Sequence, residues 1–278
     1  MGGGMDDLND WLGRKREAHD LVTERLAREY RVTTEAIRGG HDLMPGLHWC
    51  LAPEIYPARD LGRDGHPKLG LFLPAPGLPR RMWAGGRIAY HGALAVGCDV
   101  TRRTEITDIS FKQGRSGRLA FVALTHRYEV AGKTRIEERH DIVYRGDPGP
   151  GAPPPPAPPK AAPWPGAEAV QVTPDATLLL RYSAASFNGH RIHYDLPYAT
   201  GVEGYGGLVV HGPLQATWMQ VLATHLLGRL PTEFTYRGLT PLICDRPAAV
   251  EARADAEGLE LRVRDLGADA VTMQARAR

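Results

Sequence analysis

Pro213-Leu-Gln-Ala-Thr-Trp-Met-Gln-Val-Leu-Ala-Thr-His-Leu-Leu227 is followed at once by Gly228. Leu214, Trp218, Val221, Leu222 and Leu226 recur at three- and four-residue spacing, the pattern of an apolar helical stripe packed into a core. Proline suits the first helical turn and glycine the residue past the last, so both ends of the helix are marked. Downstream, residues 233–239, 248–254, 259–266 and 271–277 read as antiparallel strands. One long buried helix followed by a meander of strands is the α+β pattern of a sheet wrapped around a helix.

Immediately upstream lies the stretch densest in chemistry, Arg181-Tyr-Ser-Ala-Ala-Ser-Phe-Asn-Gly-His-Arg-Ile-His-Tyr-Asp195, followed by Gly207-Leu-Val-Val-His-Gly-Pro213. It offers His193 as a candidate base and Asn188, His190 and Asp195 as polar partners. Gly212 is a backbone donor where the helix begins. Pro213 has no N–H, so the donor pointing out of the helix start comes from Gly212, where the helix dipole favours negative charge. Before this loop, residues 173–182 read as a helix with Thr173 as N-cap and Pro174 at its first position.

Further back, Gly146-Asp-Pro-Gly-Pro-Gly-Ala-Pro-Pro-Pro-Pro-Ala-Pro-Pro-Lys-Ala-Ala-Pro-Trp-Pro165 holds the chain in extended conformations and removes backbone donors. It reads as a semi-rigid linker over 148–166, dividing an N-terminal domain, 1–147, from a C-terminal domain, 167–278. In the first half, residues 8–31 read as a helix, because Trp11, Leu12, Ala18, Leu21, Val22, Leu26 and Tyr30 recur at helical intervals among charges. Residues 41–52 form a short apolar segment, a buried helix started near Pro45. Strands follow over 82–90, 96–111, 119–130 and 135–144, with glycine-containing turns at 113–117 and 131–133. Each half thus reads as a helix followed by strands, a duplicated fold in which only the second copy carries the chemical loop.

Composition narrows the function classes. With 34 Lys and Arg against 32 Asp and Glu among 278 residues, the formal net charge is +2, too balanced for a nucleic-acid surface. Cys50, Cys98 and Cys244 are far apart, form no metal-ligand spacing and are odd in number, which points to a reducing cytosol. The N-terminus has no basic region followed by an apolar run, and no apolar stretch approaches the roughly twenty residues of a membrane span. A cytoplasmic protein is expected, without a metal or other cofactor: there is no Gly-rich phosphate loop, no nucleophile elbow and no metal-spaced Cys/His set.

The segments Tyr182–Asp195, Tyr198-Ala199, Val202-Glu-Gly-Tyr205 and Gly207–Pro213 resemble the hot-dog-fold hydratases of the MaoC type. Within them the resemblance is to the group that contains mesaconyl-CoA hydratase and the fungal-type mitochondrial 3-hydroxyacyl-thioester dehydratase. Asp10-Trp-Leu-Gly-Arg14, Met82-Trp-Ala-Gly-Gly86 and Arg139-His-Asp-Ile-Val-Tyr-Arg145 extend it over nearly the whole chain. The resemblance implies a double hot-dog enzyme that adds water to a 2-enoyl thioester or removes it from a 3-hydroxyacyl thioester. It puts His193 on the family's histidine, Gly212 on the glycine that polarises the thioester carbonyl, and Asn188 where the broader family has an aspartate. An amide cannot accept a proton as a carboxylate does. The implied division of labour is therefore His193 as general base and Asn188 as the residue that orients water.

Other residues keep two readings at this level. His190 and His211 bind substrate, or they shape the loop and the helix start. Asp195 bonds a neighbouring histidine or makes a turn. Arg181, Tyr182 and Arg191 are candidates for the substrate, an arginine being the partner expected for the free carboxylate of a mesaconyl group. Arg102, Arg103, Lys112, Arg115 and Arg118 meet the phosphates of coenzyme A or a carrier protein, or are a solvated strand face. The expected activity is hydration of a branched dicarboxylic acyl-CoA such as mesaconyl-CoA to citramalyl-CoA. A 3-hydroxyacyl dehydratase of fatty-acid synthesis acting on coenzyme A or carrier-protein thioesters, a hot-dog thioesterase and a non-catalytic acyl-binding module stand as alternatives. A homodimer of double hot-dog chains is left open.

Overall fold

The computed structural model describes residues 8, 10–37, 39, 41–114, 117–147 and 157–278. Its frame is one antiparallel sheet of ten strands. The strands are β1 (Lys15–Leu21), β2 (Arg80–Tyr90), β3 (Asp99–Gly114), β4 (Gly117–Val130), β5 (Lys133–Arg145), β6 (Glu168–Val172), β7 (Glu233–Gly238), β8 (Ala248–Asp255), β9 (Gly258–Asp265) and β10 (Ala270–Ala277). Their order is β1-β3-β4-β5-β2-β7-β10-β9-β8-β6. Read outward from the β2–β7 seam, the two halves have the same topology, so the duplication expected from the sequence is written in the strand order. Ala89 pairs with Glu233 and Gly85 with Arg237 across the seam, and hydrogen bonding runs from one half into the other without a break.

The described residues form four helices, α1 (Glu24–Thr34), α2 (Ala176–Ser186), α3 (Leu196–Gly201) and α4 (Gly212–Leu227), of which α4 packs on the strands β7 to β10 and α1 packs on α2. The helix α4 is the one whose ends the sequence marks, and its last residue is capped by Gly228 at φ 66. Every residue from Leu214 to Thr224 is buried. Trp218, Leu222 and Val221 join one core with Val250, Val263 and Phe234 of the sheet. Burying each such large apolar side chain is worth roughly 1.5–3 kcal/mol. The two buried glutamines of α4 find partners for their amide oxygens: Gln215 Oε1 accepts from Thr272 Oγ1 at 2.7 Å, and Gln220 Oε1 from Tyr90 Oη.

The strand expectations stand to within a few residues, but three helical ones do not. Residues 8–31 are not one helix: β1 pairs with β3 from Lys15–Glu105 to Leu21–Asp99, and α1 starts only after Thr23, whose side chain accepts from Leu26 N–H. The alternating charges of β1 mimic helical spacing because one of its faces is solvated. Thr173 and Pro174 do not start α2; Asp175 is the N-cap, accepting from Leu178 N–H at 2.7 Å, and β6, unforeseen, occupies the residues before it. Residues 41–52 make two 3-10 turns, His41–Leu43 and Leu47–Cys50, instead of a helix. Gly46 stands at φ 86, where the chain reverses too sharply for a helix to continue.

That last difference shapes the protein. In the C-terminal half α4 packs on the sheet, whereas in the N-terminal half the corresponding chain from 41 to 79 has only short 3-10 turns and carries seven prolines. The proline-rich segment lies outside the described residues over 148–156. Beyond it Lys160 bridges Ala270, and Trp164 lies under the guanidinium groups of Arg253 and Arg262 at 4.2 and 4.0 Å. Among the described residues no helix is long and apolar enough to cross a membrane.

Candidate active site

Two loops and a helix start build the site. At the end of α2 Phe187 stands in the left-handed region, φ 51, and turns the chain back over the helix. Asn188 N–H donates to Ser183 O at 2.8 Å, and Asn188 Oδ1 accepts from His190 N–H at 2.9 Å. Asn188 therefore shapes the loop with its amide oxygen, and its NH2 end is left for another role. A 3-10 turn, Arg191–His193, then carries His193 inward to 6% exposure.

His193 Nδ1 lies 2.7 Å from Val209 O. A carbonyl only accepts, so this nitrogen carries the proton and Nε2 presents a lone pair. Val209 N–H donates to Ile192 O at 2.9 Å, pinning the same two segments together. The His193 ring stacks on His211 with centroids 3.6 Å apart and planes 19° from parallel, and His190 stands edge-on at 5.4 Å. His211 is wholly buried and its Nε2 lies 2.8 Å from Ser183 Oγ. Burial, reinforced by His190, lowers His193 to about 3, and burial with Arg81 and Arg80 lowers His190 to about 3. Burial also holds His211 well below the usual histidine range. At neutral pH all three imidazoles are uncharged, the state in which histidine acts as a base.

His211 is the N-cap residue of α4 but makes no capping bond with its side chain. The stacked pair thus sits directly at the helix start, where Gly212 N–H is a free first-turn donor. A Cβ at Gly212 would stand 2.4 Å from Cε3 of Trp83. Trp83 comes from β2, beside the bulge at Ala84, and stacks on Tyr236 at 4.5 Å. Bulges re-aim side chains, and here the indole is turned onto the helix start.

The N-terminal half also supplies the loop 62–67. Gly65, at φ 86, would place a Cβ 2.0 Å from Gly189 O, so only glycine lets the two loops touch. Arg191 N–H donates to Asp64 O at 2.9 Å, and the His66 ring lies 4.5 Å from His190. Asp64, His66 and His190 can bring one ligand atom each within 4.8 Å of the others, the donor types of a zinc-like site. Asp64 is already occupied, however: Arg81 Nε is 3.3 Å from its Oδ2, and His66 N–H donates to its Oδ1 at 3.1 Å.

His193, Asn188, His190, His211 and Gly212 are therefore brought together. Tyr182 lies beneath them, buried, with its ring 5.0 Å from His211. Arg181 is exposed on the outer side of α2. Arg191 is committed to Asp195, with Nε and Nη2 at 2.9 and 2.7 Å from Oδ2, and Asp195 Oδ1 caps α3 by accepting from Tyr198 N–H. The basic group on β3 and β4 divides: Arg103 is exposed and paired with Glu17 and Glu129, Lys112 and Arg118 lie over Phe121 and Phe111, and Arg102 is turned inward. Arg115 lies outside the described residues. Sequence reading gave no role to Ser183, which lay inside the quoted segment, or to Asp64, His66 and Trp83, which come from the N-terminal half.

The sequence profile for hydroxyacyl-thioester dehydratase type 2 matches residues 46–244. The chain belongs to this family. Its curated relatives include the mesaconyl-C(4)-CoA hydratase of Chloroflexus aurantiacus, 40% identical over 96% of this chain and 95% of that protein. The mitochondrial hydroxyacyl-thioester dehydratase type 2 of Schizosaccharomyces pombe is 26% identical over 75% of this chain and 77% of its own length. Among solved structures, a MaoC-like dehydratase from Phytophthora capsici superposes with a TM-score of 0.67 at 14% identity, covering 99% of both chains. HtdX of Mycobacterium tuberculosis gives 0.62 at 17%, covering 95% of this chain and 99% of its own. A further protein of M. tuberculosis described as a double hot-dog fold gives 0.55 at 15%, over 96% and 95%. As a type 2 dehydratase-family chain the protein is a hydratase/dehydratase of the double hot-dog class, as the sequence resemblance implies.

Proposed function

We propose that this chain reversibly hydrates a branched dicarboxylic 2-enoyl-CoA of the mesaconyl type to a citramalyl-type hydroxyacyl-CoA. The observation that carries the reading is the His193 tautomer: Nδ1–H is spent on Val209 O, and the free Nε2 belongs to a neutral, buried ring stacked at the start of α4. In hydration Nε2 takes a proton from water as the water oxygen bonds to C3 of the enoyl group. The C2=C3 electron pair moves to the thioester oxygen, where Gly212 N–H and the helix dipole stabilise the enolate, and the proton taken up by Nε2 then passes to C2, which restores the neutral ring. In dehydration His193 Nε2 takes the C2 proton and returns it to the leaving hydroxyl, which departs as water. The NH2 end of Asn188 orients the water, His190 and His211 hold the base, and Tyr182 supports His211 from beneath. Base catalysis of this kind contributes roughly a hundred- to ten-thousand-fold.

The 40% identity to a mesaconyl-C(4)-CoA hydratase along almost the full length supports the substrate class. The more distant likeness to a mitochondrial dehydratase supports a second reading, a linear 3-hydroxyacyl group on coenzyme A or carrier protein. We place the chain in the cytoplasm, on its free and mostly buried cysteines. We also take the proline-rich segment as the linker between the two halves, and we leave a homodimer as the assembly to be tested by sedimentation.

Purified protein mixed with mesaconyl-CoA should lose the enoyl-thioester absorbance without releasing thiol. Release of thiol would move the activity to a thioesterase, and inertness toward mesaconyl-CoA, crotonyl-CoA and the hydroxyacyl products would reduce the chain to an acyl-binding module.

A further inference from the structure

The concave face of the N-terminal half carries a second group of buried polar side chains that the reaction above does not use. Among the described residues no long helix covers this face, and the residues pointing inward from β3, β4 and β5 include Arg102, Thr104, His126, Glu138 and His140. Most have their own partners. Glu138, 1% exposed, accepts from Trp49 Nε1 and Tyr236 Oη at 2.9 Å each, with His48 Nε2 at 3.6 Å from its other oxygen. His126 Nδ1 lies 2.8 Å from Thr104 Oγ1, and Glu54, above the face, is held by Arg16.

Arg102 is the exception. Its residue is 9% exposed and its Nε has no hydrogen-bond partner; the guanidinium is in hydrogen-bonding contact with Tyr128 and its charge reaches Glu54, but no carboxylate lies within ion-pair distance of it among the described residues. Nearby, the buried Nε2 of His140 is also unbonded. Burial, together with the Arg102 charge, keeps His126 and His140 neutral, so neither adds a competing cation. A guanidinium out of water without a counter-ion is costly, and its planar fork matches a carboxylate. The face is continuous with the site: Trp83, which lies on Gly212, has its ring 6.1 Å from His140, and His140 is 5.7 Å from His126.

We infer that Arg102, with His140, seats a carboxylate at the far end of the acyl group, so that Arg102 sets the preference for dicarboxylic over monocarboxylic thioesters. The inference rests on the acyl-thioester reading of the site but not on turnover. In this arrangement an acyl chain starting at Gly212 passes the indole of Trp83 and ends at Arg102, which no carboxylate meets at ion-pair distance among the described residues, Glu138 being held by Trp49 and Tyr236. An uncharged chain end would leave that charge as it is. The two arginines the sequence singled out for this role do not compete, Arg181 being exposed and Arg191 bound to Asp195.

The test is calorimetric binding of saturated acyl-CoAs, which cannot be hydrated: succinyl-, glutaryl- and adipyl-CoA beside butyryl-, valeryl- and hexanoyl-CoA. Wild type should bind at least one dicarboxylic ligand about ten- to a hundred-fold tighter than its monocarboxylic counterpart, the worth of a hydrogen bond to a charged group. Arg102→Gln should erase that preference, leave the monocarboxylic affinities unchanged and melt no lower than wild type, since it removes an unpaired buried charge. Arg102→Lys should keep part of the preference. A wild type without preference, a variant that retains it, or equal weakening of both ligand series, as a coenzyme A contact or a packing role would give, overturns the inference. Inertness in the hydration assay would instead fall on the proposed reaction and leave these affinities readable.

Discussion

The role of base proposed for His193 rests on where its protons and neighbours are. Val209 O takes the Nδ1 proton, and burial beside His190 keeps the ring neutral to far below its usual range. A base must be deprotonated to work, and a lowered pKa keeps it so at lower pH, so activity is lost only as the pH falls through the lowered value. For an ordinary histidine kcat/KM would halve near pH 6.5; here it should stay level to below pH 5.5, which a pH–rate profile will check, read at each pH before the protein unfolds. His193→Ala should cost at least about a hundred-fold in kcat, and near-full turnover by that variant would remove His193 from the role. Asn188 differs in kind: its oxygen is committed to His190 N–H, so its contribution to the loop can be kept while its chemistry is changed. Asn188→Asp preserves that acceptor.

Helices and loops bring those residues into register. The contact of the loop 62–67 with the loop 188–191 passes through two glycines, and at Gly65 a methyl group would fall 2.0 Å from a carbonyl oxygen. Gly65 also stands at φ 86, a region that L side chains rarely adopt. Gly65→Ala should therefore destabilise the protein by about 1–3 kcal/mol and lower kcat further than Tm alone accounts for, because Arg191, bonded to Asp64 O, is drawn with it. Melting curves and steady-state rates on the same preparation would show this. Full activity with only a lowered Tm would mean that the loop contact is structural. The seam strand β2 has a comparable task, since its bulge at Ala84 aims Trp83 at Gly212.

Across the whole molecule the unusual feature is the number of buried histidines. His66, His126, His140, His190, His193 and His211 are all lowered, burial being the first cause in every case. In the unfolded chain each takes a proton near pH 6.5, whereas in the folded chain it does not until the pH is lower. Between those values the unfolded state binds more protons, and stability falls as pH falls, by up to about 1.4 kcal/mol per pH unit for each histidine. Thermal melts should be level above pH 7 and drop steeply below pH 6. A Tm unchanged down to pH 5 would mean that these rings are protonated and paired in the folded state.

How much of this was legible in the sequence follows from range. The helix α4, its glycine cap and the eight strands other than β1 and β6 were legible because their signals are local: an apolar stripe, an alternation, a turn residue. The candidate base, its loop and the helix-start donor were legible because about thirty consecutive residues carry them. At β1 the local signal misled, since alternating charges on a half-solvated strand resemble a helical stripe until β3 supplies its hydrogen bonds. Other facts depend on chain segments far apart in sequence and needed the fold. Trp83 fills the space that Gly212 leaves, and His66 and Asp64 reach the loop of His190. The proton on His193 is fixed by a carbonyl sixteen residues away, and Arg102, one of several arginines in its segment, is turned inward without an ion pair among the described residues. Sequence determines which side chains are present and how each short segment folds; which of them are buried together, and so which charges and protons they hold, is decided only by tertiary packing.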